Sequence, residues 1–561
     1  MRQYRTSSKG PHCAFLPLGG RCPPSYYNDF PKRHNCTQRY GRESIDDNIA
    51  TLQALGEAAD APQYDAEMLG EAFTSGANEH MVEQIGSRLT KLKTLESRLG
   101  VNAYPEVSAD AVTDMDNIAL IISNHRDLKN NEELESVSYH IYGRIKAMRF
   151  DGMFVVIEDV KGNELQVMFR RKQTIEVANK TYDSERIGHI LDIGDIIDVR
   201  GHIKRTSTGE LTLVGRSVAM LAKCLLPMPD GFHGLKDITT RQRLRHVDIM
   251  TNRDSKNLLL QRSHIIWHLR KFLHDRGFVE VETPILQHLY SGAHATPFKT
   301  HSEALGDDLY LRIAPEFYLK RLIAGGFADK IFEIGKCFRN EGTSTRHSPE
   351  FTMIELYQQL SNAEDMMRLM EDIVVTLSEG LGTSIPKFTR RTMNELIREH
   401  TGIDVEGCSS EDLLSILNDR GVDTTPLSAM TRGNLVCALF KDAVEDHITE
   451  PTHVTDFPAD SSPLAAAVGS HGRVFESYIA GLEVAHGCTE ECNPVELLRK
   501  LDGCGLEGLG HARDTEFLNA VAYGLTPTAG LGIGIDRLVM ALTGASSIKN
   551  TQTFPLLKTV E

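Results

Sequence analysis

The sequence predicts an α+β protein: an all-β, five-stranded barrel followed by a larger domain that packs helices on an antiparallel-rich sheet. Three observations predict it. Between Val137 and Met228, short alternating apolar runs succeed one another across glycine turns. After Arg241, long amphipathic helical patterns appear. Among them, several strands follow one another without an intervening helix, which argues against a doubly wound parallel sheet.

Bulk properties bound the reading. A chain of 561 residues is too long for one core, so two to four domains are expected. The 41% hydrophobic and 25% charged content is that of an ordinary soluble protein. No stretch approaches the ~18–20 apolar residues of a membrane span, so no membrane partner is expected. The net charge of -16 does not announce a nucleic-acid binder, but a local basic face is compatible with it. Ten cysteines are too sparse for a secreted disulfide scaffold, and reduced thiols in the cytoplasm are the simpler reading.

Residues 1–80 read as a disordered extension, basic over its first forty or so residues, broken by Pro11, Pro17, Pro23, Pro24 and Pro31, and without the apolar core of a secretory signal. If this extension is a transit peptide, the compartment is mitochondrial instead. Residues 81–133 lead into the barrel, and their helical run places Ile85, Leu89, Leu92, Leu95 and Leu99 on one face before Gly100. Lys91 and Lys93 on this helix are either phosphate contacts or a solvated basic face.

Residues 134–230 carry the five barrel strands: Val137–Ile145, Met153–Asp159, Glu164–Phe169, Ile196–Ile203 and Glu210–Val214. The oligonucleotide-binding (OB) barrel is the natural candidate. A Pro/Gly connector over 231–250 precedes the domain at 251–561. There, helix is expected at Asn257–Phe272, and strands at Phe278–Pro284, Leu309–Ile313, Lys330–Ile334 and Phe351–Tyr357.

Three segments of this domain stand out. Gly277–Pro284 is a strand ended by proline. Phe338–Phe351 carries Arg339, whose planar fork suits phosphate or carboxylate, then a polar loop with Arg346 and His347, then Phe351, an aromatic able to stack on a purine. By itself the Arg339-Asn340-Glu341 run reads equally well as a structural ion pair. Gly530–Met540 is a glycine run that opens a helix bearing Arg537, without dinucleotide-fingerprint spacing.

In this order the three segments resemble motifs 1, 2 and 3 of class II aminoacyl-tRNA synthetases. Leu309–Arg321, Phe338–Gly342, Pro349–Tyr357, Pro527–Gly530 and Gly532–Arg537 resemble the class IIb lysyl-tRNA synthetases in particular. The resemblance runs from about Ile85 to the C-terminus.

It implies a six-to-seven-stranded antiparallel catalytic sheet behind an anticodon-binding barrel, and a homodimer through the catalytic domain. It implies ATP-dependent activation of lysine and transfer to tRNA, with ATP and Mg²⁺ required. Arg339 would join the α-phosphate to the amino-acid carboxylate. Glu341, Arg346, His347, Phe351, Glu476 and Arg537 would bind ATP. Glu476 and Glu483, seven apart and so two helical turns or a strand's length, would hold Mg²⁺, as hard oxygen ligands do. Glu316 would take the lysine α-amino group, with Glu355, Tyr357 and Glu490 around the ε-ammonium. Phe154, Gln166 and Glu210 fall where the family reads the anticodon, although Phe154 fits a barrel core equally well.

Two positions depart from the family pattern. His486 stands where asparagine is usual, and Cys488 where tyrosine or phenylalanine packs the lysine stem. Three readings follow: lysine activation; a paralogue that activates a lysine-like acid, or regulates by binding tRNA or nucleotide; and a zinc site from His486, Cys488, Cys492, Cys504 and His511.

Overall fold

The computed structural model describes residues 79–108, 115–177, 180–229, 235–290, 295–427, 430–503 and 514–559. The chain divides into a unit of residues 1–89 and a unit of residues 90–561. Most of the expected N-terminal extension and the 231–234 part of the connector lie outside the described residues. The expected helix is present as Glu79–Lys93, continued by one π-helical stretch at Thr94–Arg98 and stopped by Gly100 at φ 60°.

The barrel strands are β1 (Glu133–Arg149), β2 (Phe154–Glu158), β3 (Glu164–Met168), β4 (Thr174–Val177), β5 (Lys180–Asp183), β6 (Ile196–Arg205) and β7 (Leu211–Ala222). The order β3-β2-β1-β6-β7 closes on itself through parallel pairing of β3 with β7, an OB-type barrel made of the five expected strands. Period-2 burial fills it: Val155, Ile157, Leu165, Val167, Val199 and Leu213 point inward. The β4–β5 hairpin, appended to β7, was not expected, because its strands are short and charged. The Lys91 ammonium donates to Asp192 Oδ1 at 2.7 Å and to the Leu191 carbonyl at 3.0 Å, which ties this helix to the barrel.

The catalytic-side strands are β8 (Val279–Glu280), β9 (Leu286–Gln287), β10 (Lys299–Ser302), β11 (Asp307–Leu311), β12 (Lys330–Phe338), β13 (Glu350–Gln359), β14 (Thr389–Thr392), β15 (Thr452–Thr455), β16 (Ala467–Val468), β17 (His471–Gly472), β18 (Val474–Ile479), β19 (Leu482–Thr489) and β20 (Thr528–Gly534). The main sheet runs β14-β15-β18-β19-β20-β13-β12-β8. Its six inner strands are antiparallel, as expected. The sheet is wider than six or seven because a short strand is added in parallel at each edge, β14 on β15 and β8 on β12. Only Val279–Glu280 of the strand expected at Phe278–Pro284 joins the ladder. Beyond it, Thr283 turns to hydrogen-bond the buried Arg312–Glu333 ion pair.

One face of the sheet is core. Ile354 and Leu356 of β13, Ala529, Leu531 and Ile533 of β20, and Ala485 of β19 pack with Leu269, Met370 and Leu538 from helices Arg253–Asp275, Ala363–Gly380 and Ile535–Thr543. The alternate residues of the same strands therefore face the other way, and these build the site. Among the described residues, no helix is long and apolar enough to cross a membrane.

Candidate active site

The open face holds a cleft of about 660 Å³. Its floor is set by register. Gly530, Gly532 and Gly534 alternate along β20, flanked by Met353, Glu355 and Tyr357 on β13 and by His486 and Cys488 on β19. A stripe of glycines between two walls of side chains leaves a trough. Gly530 is required for the fit: a Cβ there would lie 2.5 Å from the Tyr357 ring and 2.6 Å from Glu490 Oε1.

At one end, Arg339 leaves β12 with its guanidinium carbon 5.1 Å from the Phe351 ring centroid. Its Nε is buried and has no hydrogen-bond partner in the protein. A buried guanidinium donor without an acceptor is costly, and an anionic ligand would satisfy it. Glu341, Arg346, His347 and Phe351 line the same end.

Arg537 stitches this end together. It donates to Glu483 Oε2 at 3.0 Å, to the Glu483 carbonyl at 3.0 Å, and to His347 Nε2 at 3.0 Å. Because guanidinium can only donate, His347 must accept through Nε2 and donate from Nδ1 to Ser344 Oγ. Desolvation and the adjacent Arg537 hold His347 below its usual range, which favours this neutral tautomer. Arg346 is tied to Asp446 at 2.7 Å across an exposed pair.

At the other end is an acidic pocket. Glu355 accepts from the Tyr357 hydroxyl at 3.2 Å, and burial together with the Glu316 charge pushes its carboxyl up to about 8. Glu316 and Glu490 share one partner, the ammonium of Lys320: Lys320 is ion-paired to Glu316 and lies 2.5 Å from Glu490 Oε2, with 2% of the residue exposed. This cation also lies 5.7 Å from the Tyr357 ring centroid and 5.8 Å from that of Phe517. Neither Lys320 nor Phe517 stands out in the sequence, although Glu316 and Lys320 at i, i+4 on a helix is the available signal. Cys488 donates to Glu490 Oε1 at 3.4 Å, and burial pushes its thiol well up.

The two expected metal carboxylates are not along one helix or one strand. Glu476 lies on β18 and Glu483 on β19, joined by a hairpin, and a register shift after Ser477 pairs Glu483 with Tyr478. That shift turns Glu483 to the face bearing Glu476. Glu483 lines the cleft. Glu476 sits behind His486, accepting from Tyr478 at 2.6 Å and lying 3.5 Å from the imidazole. Glu445 joins them: burial, then the charges of Glu483 and Glu476 raise its carboxyl, so acidic groups crowd this corner. Hard oxygen donors are the type a divalent cation takes, and here Glu483 Oε2 is held by Arg537 and Glu476 Oε2 by Tyr478. Glu445 was not foreseen from the sequence because it comes from a distant 3-10 turn, Glu445–His447.

Among the described residues, His486, Cys488 and Cys492 are not grouped as metal ligands. Among the described residues, the group of potential ligands packed within 4.8 Å of one another is Glu133, Glu135 and His202 in the barrel, and Glu133 is already paired with Arg170 and Lys204. Cys492 donates to the Glu490 and Thr526 carbonyls, and burial raises its thiol away from thiolate. Cys504 and His511 lie outside the described residues.

In the barrel, the burial alternation of β2 turns Phe154 outward, so it is not core. Val156 of β2 pairs with Gln166 of β3, and Gln166 donates to Thr212 Oγ1 at 2.8 Å. Glu210 is exposed just before β7.

Comparison with known proteins agrees with this geometry. The family profile of class II tRNA synthetases (D, K and N) matches residues 237–558. The lysine–tRNA ligase of Sinorhizobium medicae (strain WSM419) is 40% identical over 493 residues, covering 83% of this chain and 95% of that protein. Those of Rhizobium johnstonii (39% over 492 residues, covering 83% and 95%) and Methanoculleus marisnigri (40% over 495 residues, covering 84% and 94%) are similar to the same extent. With an OB barrel before an antiparallel sheet whose glycine-floored cleft carries an arginine at one end and buried carboxylates at the other, the chain belongs to the class II tRNA synthetases, in the lysine–tRNA ligase family.

Proposed function

We propose that the chain is a lysine–tRNA ligase: it activates L-lysine with ATP to lysyl-adenylate and transfers lysine to the 3′ end of a lysine tRNA. The observation that carries this reading is the pairing, across one glycine trough, of a buried unsatisfied Arg339 Nε with an acidic pocket built by Glu316, Glu355, Tyr357 and Glu490.

Arg339 receives the substrate carboxylate and the α-phosphate, bringing nucleophile and electrophile into line. Phe351 offers the ring face away from Arg339 to adenine. Glu341, Arg346 and His347 hold the triphosphate and ribose, and Arg537 meets the far phosphates. No covalent enzyme nucleophile is needed, because the carboxylate attacks phosphorus directly and pyrophosphate leaves. Glu476 and Glu483 would hold Mg²⁺, which supplies charge neutralisation at the phosphates. Glu316 takes the α-amino group, and Glu355, Tyr357 and Glu490 surround the ε-ammonium. His486 stands where the α-carboxylate is anchored, and Cys488 leaves the lysine stem more room than an aromatic would. Phe154, Gln166 and Glu210 read the anticodon from the barrel's outer face. The enzyme works as a homodimer through the catalytic domain, in the cytoplasm.

The test is lysine-dependent ATP–pyrophosphate exchange. Exchange with lysine that is lost in Arg339→Ala supports the reading. Exchange with a different amino acid overturns the substrate and keeps the reaction class. No exchange with any amino acid would favour a binding regulator.

A further inference from the structure

We propose that Phe150 is a second base-stacking residue of the barrel, taking the nucleobase next to the one that stacks on Phe154; this rests on the tRNA reading above. Phe150 opens the turn between β1 and β2 and is 66% exposed. Its ring centroid is 6.2 Å from that of Phe154, with 66° between the planes. The two rings thus form an open corner. One planar base fills one wall, and a neighbour splayed from it fills the other, which is how successive bases of a single strand use aromatic platforms.

The backbone holds the ring there at a cost. Phe150, Asp151 and Gly152 have φ of 52°, 53° and 84° in succession. A left-handed conformation is uncommon for a bulky residue and persists only where its surroundings impose it. They do so here. Met153 N–H donates to the Phe150 carbonyl at 3.1 Å, and the Asp151 carbonyl is so close to Gly188 that a Cβ on Gly188 would lie 2.5 Å from it. The turn is wedged against the Ser184–His189 3-10 helix. Glycine or asparagine would sit at position 150 with less strain, so the aromatic is not explained by folding.

The surroundings suit RNA. Phe169 N–H donates to the Met153 carbonyl at 2.8 Å, so the segment leaving β3 runs beside this turn, and it continues as Arg170-Arg171-Lys172. Arg149, the residue before it, is exposed. On a chain of net charge -16, the exposed Arg149, Arg171 and Lys172 are the cations beside this turn, while Arg170 is ion-paired to Glu133. Phosphates match it; a protein-docking face would call for contiguous apolar surface.

The test uses the full chain and a fluorescein-labelled RNA hairpin carrying the anticodon stem and loop of a lysine tRNA, read by anisotropy. Phe150→Ala is expected to raise Kd about ten-fold, equal to ~1.4 kcal/mol, and Phe150→Tyr to retain wild-type affinity. Lysine-dependent ATP–pyrophosphate exchange is expected to be unchanged in both. Hairpins made abasic at each anticodon position locate the contact: an abasic site beside the centre is expected to cancel the Phe150→Ala effect, and one at the centre the Phe154→Ala effect. If Phe154→Ala weakens binding while Phe150→Ala does not, the inference is wrong and the tRNA reading stands; an exposed ring used for a protein partner gives the same pattern. If the wild-type chain does not bind the hairpin, both fail.

Discussion

Lys320 places its ammonium 2.5 Å from Glu490 Oε2 inside the pocket proposed for the substrate's own ammonium. The enzyme therefore carries an internal lysine against the carboxylates proposed to select an external one. Removing one member of a buried ion pair leaves an uncompensated charge, typically costing ~3–5 kcal/mol. Lys320→Met is expected to lower Tm and to raise the lysine KM at least ten-fold. Free lysine is expected to raise the Tm of this variant less than that of the wild type at the same concentration, because weaker binding stabilises less.

Glu355 sets a proton balance. With its carboxyl pushed up to about 8, Glu355 is mostly protonated at pH 7 in the free pocket. A lysine ammonium beside it favours the charged form, so binding drives the proton off. Calorimetry at pH 7 in two buffers of different ionisation enthalpy is expected to show close to one proton released per lysine bound. Glu355→Gln is expected to show none.

The trough floor predicts an intolerance. Gly530→Ala puts a methyl 2.5 Å from Tyr357 Cε1. Overpacking of this kind costs about 1–3 kcal/mol. The chain should still fold, while the lysine KM rises at least ten-fold and the ATP KM changes little, since only the acidic end is displaced.

His453 gives a stability prediction. It is fully buried, stacked on Phe388, and burial, with the Arg390 charge beside it, lowers its imidazole to about 3. A depressed folded value means that the unfolded chain binds the extra proton. The stabilisation is complete above about pH 6.5 and is lost as pH falls toward 3, with a slope approaching ~1.4 kcal/mol per pH unit. His453→Phe is expected to flatten the fall of Tm over this range.

Much of this architecture is legible in the chain, and the exceptions share a cause. The barrel strands show because one face of each is buried, so period 2 is written into Val155, Ile157, Leu165 and Val167. The β4–β5 hairpin does not show, because Lys180–Asp183 buries only part of one residue, Tyr182. Arg339, Phe351 and Arg537 were readable from motif order. The relation of Glu476 to Glu483 was not, because a register shift between strands leaves no local pattern. Lys320, Phe517 and Glu445 were hidden for a related reason: each matters through a neighbour that is remote in sequence, apart from Glu316.

The glycine stripe of β20 has an evolutionary consequence. A floor without side chains contributes only peptide groups to whatever lies on it, so it says nothing about which amino acid is bound. Identity falls to the side chains around the floor, those of the β13 and β19 walls together with Glu316 and Lys320 on their helix, and these can be edited one residue at a time. His486 and Cys488, on the β19 wall, are edits of that kind: a lineage can retune its substrate pocket while the machinery for joining ATP to a carboxylate stays as it was.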